Sequence, residues 1–128
     1  MAARQREKDL TPAQLKELVT ALTEKHVELV AALKLRRSGA QTDQRTGDEA
    51  DQASEDAEVA LETRLMDRDA KLLREVERAL EKVKNSTYGL CEGTDEPIGF
   101  KRLELRPWTR YSVGYKEMLE REKAQQAR

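Results

Sequence analysis

The feature that most constrains this fold is a predicted helix from about Asp48 to Lys84, which carries an apolar stripe on one face and has no glycine or proline to interrupt it. At a rise of about 1.5 Å per residue, a helix over this range would be about 50 Å long. Because such a helix is apolar on one face only, it needs a partner against which to bury that face. The stripe consists of apolar residues at helical spacing, namely Leu61, Leu65, Leu72, Val76, Ala79 or Leu80, and Val83.

The same chain supplies the partner as an earlier helix. Thr11 can cap its start, and Pro12 suits the first helical position. Arg36 and Arg37 lie in its predicted last turn, where positive charge is favourable, and Gly39 predicts its end. One face of this helix carries the apolar side chains and a histidine, namely Leu15, Leu18, Val19, Leu22, His26, Leu29 and Leu33.

The polar connection 41–47 is short, so the two helices should lie antiparallel. The segment from Leu90 to Phe100 is rich in turn residues, and a last amphipathic helix is predicted from about Thr109 to Gln125. The predicted fold class is mainly α, an antiparallel two-helix coiled-coil hairpin projecting from a small globular knuckle plus a C-terminal helix. We predict a division into 1–86, with the tip of the hairpin near 40–53, and 87–128.

Composition excludes several classes of function. No apolar run approaches the roughly 20 residues that cross a bilayer, and the N-terminus lacks the apolar stretch of a signal peptide, so we expect a soluble, cytoplasmic protein without membrane contact. A net charge of −1 gives no general attraction to nucleic acid. The chain shows no nucleophile–base pair, metal cluster or phosphate-binding glycine loop, so we do not expect an enzyme.

The start of the second helix is strongly acidic. Between Thr46 and Thr63 there are seven carboxylates and no lysine or arginine. One interpretation is structural, because acids stabilise the first turns of a helix and Thr46 with Glu49 has the spacing of a capping box. The other is functional, because Asp48 and Asp51 share a helix face and could meet a metal ion or basic side chains inside a deep site.

Two motifs at a fixed separation resemble those of the DksA/TraR family. The first is "STYGLCEGTDEPIGFKRLELRP", residues 86–107, and the second is "DEADQA", residues 48–53, which matches the family's Asp-x-x-Asp-x-Ala pattern. The resemblance covers the chain closely from about Asp48 to Lys116. Either motif alone would be weak, whereas the two together, at the expected separation along the second helix, make a specific signal.

The resemblance implies a regulator that binds RNA polymerase and passes the hairpin through the secondary channel toward the active site. It implies that Asp48, Asp51 and Ala53 form the tip, and that DNA is not bound sequence-specifically. It also implies ppGpp as a candidate effector, with Arg106 and Lys116 as candidate contacts to ppGpp or polymerase. Glu75, however, occupies a position where the family can present a lysine, and a carboxylate there would repel a polyphosphate.

The family's four zinc-ligand positions are occupied here by Cys91, Thr94, Ser112 and Tyr115. A structural zinc site needs four nitrogen or sulfur ligands, and only one sulfur remains. We therefore predict that zinc is absent, that no cofactor is bound, and that packing of large side chains holds this degenerate zinc-finger-like knuckle together. The side chains expected to do so are Phe100, Trp108, Tyr111, Val113 and Tyr115.

The alternative is a structural coiled-coil interaction protein that does not bind polymerase, in which the acidic tip serves only solubility. The intramolecular hairpin predicts a monomer, whereas that alternative allows a dimer.

Overall fold

The computed structural model describes residues 10–42 and 49–127, with side-chain surroundings assigned for 10–38 and 51–127. This part of the chain is mainly α-helical, as predicted, and contains no strand longer than a single bridge. The helices are α1 Pro12–Thr42, α2 Glu49–Lys84, α3 Phe100–Leu105 and α4 Val113–Gln126.

Helix α1 begins at a reciprocal cap. The Gln14 backbone N–H donates to the Thr11 hydroxyl at 3.1 Å, and the Thr11 N–H donates to the Gln14 side-chain oxygen at 3.0 Å. This capping box satisfies two amides that the first turn leaves without helical partners. At the other end the prediction is wrong, because α1 continues through Gly39 to Thr42. A glycine inside a helix costs only about 1 kcal/mol, so it need not end one.

The two long helices pack against each other as the predicted hairpin. Leu18, Leu22 and Leu29 of α1 are buried together with Val76 and Ala79 of α2. The predicted stripe extends too far toward the acidic end, since Leu61 is 50% exposed. Partly buried residues that pack around this core include Leu15, Leu72, Leu73, Leu80 and Val83.

The base of the hairpin shares the same core. Leu10, Tyr88 and Leu103 are buried in one cluster with the hairpin leucines. The Tyr88 hydroxyl donates to the Pro107 carbonyl oxygen at 2.7 Å, which gives this buried phenol its partner. Burial also raises the pKa of Tyr88 far above its usual value. Helix α3, which the sequence pattern did not predict, places Leu103 in this cluster.

Helix α4 begins at Val113, several residues later than predicted. The Ser112 hydroxyl accepts a hydrogen bond from the Tyr115 N–H at 3.4 Å and caps the helix. No residue of α4 is fully buried. Among the described residues, no helix has both the length and the apolarity that crossing a bilayer requires.

Candidate functional site

The acidic end of the hairpin carries two of the three predicted tip residues in the described part of the chain. Asp51 lies in the first turn of α2 and is exposed, as is Ala53. Asp48 lies outside the described residues, and so does Thr46 of the proposed capping box. Nearby, the Gln52 side-chain amide donates to the Asp56 carboxylate at 3.1 Å along the helix. The first turns of α2 therefore present carboxylate to solvent.

Arg36 links the two helices between this end and the core. Its Nη1 donates to Asp69 Oδ2 at 2.6 Å, and its Nε lies 3.1 Å from Glu62 Oε1. Asp69 is only 7% exposed, so its charge is buried but paired. The sequence pattern assigned Arg36 to stabilising the end of α1 and did not find this contact. Glu62 and Asp69, seven residues apart on α2, were the available signal.

The single histidine also makes a contact between the helices. His26 Nε2 lies 3.4 Å from Glu77 Oε2, with both side chains partly exposed. His26 therefore lies at the edge of the predicted stripe, where its ring faces a carboxylate of the other helix.

The knuckle is a tight turn closed by backbone hydrogen bonds. The Cys91 N–H donates to the Glu96 carbonyl at 2.7 Å, and the Ile98 N–H donates to the Gly89 carbonyl at 2.9 Å. Gly89 has φ of +92°, in the region that favours glycine. The Glu92 N–H donates to the Arg110 carbonyl at 2.9 Å, which joins the turn to the segment before α4. The fold thus brings the four family ligand positions together.

Hydrogen-bond donors surround the buried sulfur of Cys91. The Ser112 hydroxyl lies 3.6 Å from Sγ, and Cys91 is 0% exposed. Burial acts to raise the pKa of the thiol. Hydrogen bonds from the Thr94 hydroxyl, from the Ser112 backbone and hydroxyl, and from the Gly93 backbone outweigh burial and lower the pKa from 9.0 to about 7. Two of the positions that would hold zinc ligands therefore act as donors to the sulfur.

The fourth ligand position holds Tyr115, whose ring lies directly over Gly93. A Cβ added to Gly93 would overlap that ring, so any larger residue there requires the ring or the turn to move. The Tyr111 and Tyr115 ring centroids are 5.1 Å apart. Ring packing therefore contributes to the knuckle, but the predicted set was incomplete, because the fully buried ring is that of Tyr88. Of the predicted residues, Phe100 and Trp108 pack against the core, whereas Val113 is 51% exposed.

Glu92 is the main charged link between the knuckle and α2. Its carboxylate accepts hydrogen bonds from Lys82 at 2.7 Å and from Arg110 at 2.9 Å, and Arg78 lies 3.4 Å away. Partial burial acts to raise the pKa of Glu92. The hydrogen bonds and charges of Arg110 and Lys82 outweigh burial and lower the pKa from 4.5 to about 2. Sequence reasoning missed this residue, although Arg78 and Lys82 share a helix face by their spacing.

The two candidate ppGpp contacts lie on different elements. Arg106 is exposed just after α3, and Lys116 is exposed in the first turn of α4. Glu75 is partly buried on α2, and its charge helps to raise the pKa of Arg110, after the larger effect of the hydrogen bond to Glu92 and against desolvation. The carboxylate predicted to oppose a polyphosphate is therefore close to a cation of the base.

Two family models match consecutive parts of this chain. The model described as "DnaK suppressor protein DksA, N-terminal domain" matches residues 14–83, and "Prokaryotic dksA/traR C4-type zinc finger" matches residues 86–114. The chain belongs to the DksA/TraR family. The first match covers the hairpin and the second covers the knuckle, so the family includes both parts described above.

Individual members of the DksA/TraR family are also similar to this chain in sequence. A protein of Caulobacter vibrioides named RNA polymerase-binding transcription factor DksA is 47% identical over 74 residues, which are 58% of this chain and 52% of that protein. The Escherichia coli K12 protein of the same name is 36% identical over 80 residues, 62% of this chain and 53% of that protein. The chain thus spans about half the length of the curated relatives that it matches.

Two solved structures support the DksA-like fold. "Structure of transcription factor DksA2 from Pseudomonas aeruginosa" aligns with a TM-score of 0.77 at 33% identity, covering 89% of this chain and 88% of that one. A Chlamydia trachomatis structure aligns with a TM-score of 0.55 at 24% identity, covering 88% and 94%, and at that identity it supports the fold alone.

The family match corrects the prediction about zinc. We predicted that zinc is absent, but residues 86–114 match a four-cysteine zinc finger, which points to zinc binding. The side chains of the described residues do not by themselves fit the family's ligand set. Cys91 provides one sulfur, and no group of three or more His, Cys, Asp or Glu in the described part of the chain could hold a metal ion.

Proposed function

We propose that this protein is a transcription regulator that binds RNA polymerase, rather than an enzyme. The hairpin enters the secondary channel, and its acidic tip lies near the polymerase active site, where it modulates initiation. Asp48, Asp51 and Ala53 form that tip. In this scheme the protein acts as a cytoplasmic monomer and does not recognise a DNA sequence.

The observation that supports this function best is an exposed carboxylate at the far end of a long hairpin in a chain of the DksA/TraR family. Asp51 lies in the first turn of α2, and Lys84 at the other end of that helix adjoins the base. At about 1.5 Å per residue, the carboxylate is about 50 Å from the base. Such a distance suits a group that acts inside a deep channel while the base remains outside. RNA polymerase is proposed as the partner because the relatives are named RNA polymerase-binding transcription factors.

The charge at the tip has a direct chemical use. A carboxylate close to catalytic magnesium can interact with the ion or with the basic side chains around it. Ala53 would permit close approach, because a larger side chain would occupy that space. We further propose ppGpp as an effector, contacted by Arg106 and Lys116 where the base meets polymerase, with Glu75 weakening the attraction.

The first experiment is a pull-down of core RNA polymerase with the purified chain, followed by multi-round transcription in its presence. We expect the chain to retain polymerase and to change transcript yield. Sedimentation should show a monomer. Failure to bind polymerase, together with a dimer in solution, would favour a structural coiled-coil protein.

The second experiment separates the tip from the docking surface. Asp51→Asn removes one charge with little change in shape, so we expect polymerase to bind with unchanged affinity while the effect on transcription is strongly reduced. Asp67→Asn is the matched control, because Asp67 is an exposed aspartate farther along the same helix. Equal activity of wild type and Asp51→Asn would show that Asp51 lacks the assigned role.

A further inference from the structure

Burial of side chains stops about halfway along the hairpin. Toward the acidic end, the last buried residue of α1 is Leu29, and the last buried residue of α2 is Asp69. Between these residues and the tip, every side chain whose surroundings are described is exposed or only partly buried. In an antiparallel pair, the axial register is normally set by side chains that insert between those of the facing helix. In the half that carries the tip, apolar side chains such as Leu33 and Leu65 are only partly buried, so they constrain the register less than the buried leucines do.

Arg36 provides another way to fix the register there. Its Nη1 is 2.6 Å from Asp69 and its Nε is 3.1 Å from Glu62. These carboxylates are seven residues apart, which places them on the same face and about 10 Å apart along the axis. One planar guanidinium on α1 thus bridges two carboxylates that are about two helical turns apart on α2. A slip by one turn, about 5.4 Å, would separate Arg36 from at least one of them.

We propose that Arg36 is the positioning residue of the tip. Together with Glu62 and Asp69 it sets the axial register of the outer half of the hairpin, and so determines where the acidic end lies relative to the base. The consequence for transcription rests on the proposed function, whereas the consequence for register does not.

The chemistry of arginine suits this task better than that of lysine. A guanidinium presents several N–H donors in a fixed plane, so it can hold two carboxylates in a defined geometry, whereas an ammonium on a flexible stem acts as a point charge. Asp69 is 7% exposed and its partner Arg36 has a side chain that is 24% exposed, so solvent screens this pair less than a surface ion pair. In some proteins buried ionic groups contribute specificity of pairing rather than net stability.

Three variants distinguish register from stability. Arg36→Lys keeps the charge but loses the planar fork. Arg36→Met leaves the buried Asp69 carboxylate with only Arg68, whose Nε lies 3.9 Å away, and this loss of pairing is expected to destabilise the chain. The double variant Arg36→Met with Asp69→Leu removes both charges and substitutes apolar side chains of similar volume, which should preserve the free energy of global unfolding. Arg37→Met is the matched control, because Arg37 is the exposed neighbouring arginine.

Hydrogen exchange followed by mass spectrometry reads out the two halves separately. In Arg36→Lys and in the double variant, amides in 30–38 and 55–68 should exchange about tenfold faster or more than in wild type. Amides in the inner half, 15–26 and 72–83, should change by less than about threefold. Arg37→Met should match wild type in both halves. Unchanged exchange in the outer half, or wild-type protection of that half in the double variant, would overturn the proposal.

Polymerase provides the second readout. We expect the double variant to bind RNA polymerase within about threefold of wild-type affinity, because its base is intact, but to have less effect on transcription at saturating concentration. A full transcriptional effect would contradict the positioning role. If wild type itself does not bind polymerase, the proposed function fails, and the exchange experiment still decides whether Arg36 sets the register.

Discussion

The two halves of the hairpin are held together in different ways. Near the base, Leu22 and Val76 are both 0% exposed, and the surrounding leucines join the core of the base. Toward the tip, Leu35 is 75% exposed, and the main described link between the helices is Arg36 with its two carboxylates. The inner half is held by fully buried apolar side chains, whereas the outer half combines partly buried ones with the charge pairs of Arg36. The comparison shows how the chain can carry many carboxylates at one end without losing its fold at the other.

Truncating one leucine in each half should show the largest contrast. Leu22→Ala leaves a cavity in a fully buried site, so we expect the free energy of unfolding to fall by about 2–5 kcal/mol. Leu35→Ala removes the same atoms from an exposed position and should change it by less than about 0.5 kcal/mol. Urea unfolding followed by circular dichroism measures both. A similar loss in the two variants would contradict the difference between the halves.

Much of this architecture can be predicted from the sequence because it depends on periodic spacing and on helix-end signals. The regular apolar positions from Leu15 to Leu29 and from Leu72 to Val83 correctly predict two paired helices. Thr11 before Pro12 correctly predicts where α1 begins. These signals are local or repetitive, so one sequence is sufficient to detect them. The family resemblance likewise depends on motifs in continuous stretches.

The errors come from contacts between distant residues. Arg36 could not be paired with Asp69 before the two helices were aligned to the nearest turn. Leu61 fits the helical period, but being in phase does not ensure burial where the core has ended. The zinc prediction failed for another reason. Counting ligands at four positions took account of side-chain chemistry alone, whereas the family model compares the whole segment 86–114.

Of the candidate site, the sequence identified the four ligand positions but not their arrangement. That Cys91, Thr94 and Ser112 lie together follows from the motif, but the hydrogen bonds to the sulfur depend on the turn that brings them together. Glu92 gives no pattern of its own, since its three cationic partners come from α2 and from the segment before α4.

A glycine substitution sharpens the comparison at the base. Gly93→Ala adds a methyl group where the Tyr115 ring already lies, so the ring or the turn must move, and we expect a loss of about 1–3 kcal/mol in unfolding free energy. Gly114→Ala is the matched control, because nothing lies within 4 Å of the added carbon and alanine favours a helix by up to about 1 kcal/mol. Thermal unfolding of both variants measures the effect. Equal unfolding temperatures would mean that the ring is not held over Gly93.

The smallest expected effect is a pH dependence at the link between the base and α2. The pKa of Glu92 is lowered to about 2 in the folded chain, so its contribution to stability is complete above its ordinary value of 4.5 and is lost as the pH falls through 2. Its side chain is 25% exposed, and solvent screening limits that contribution to about 1 kcal/mol. The difference in unfolding free energy between wild type and Glu92→Gln should therefore disappear as the pH falls toward 2.

Lys82→Met should raise the pKa of Glu92, measured by carboxyl NMR, because Lys82 donates to that carboxylate at 2.7 Å. Parallel stability curves for wild type and Glu92→Gln down to about pH 2 would show that the ion pairs of Glu92 add no stability at the base.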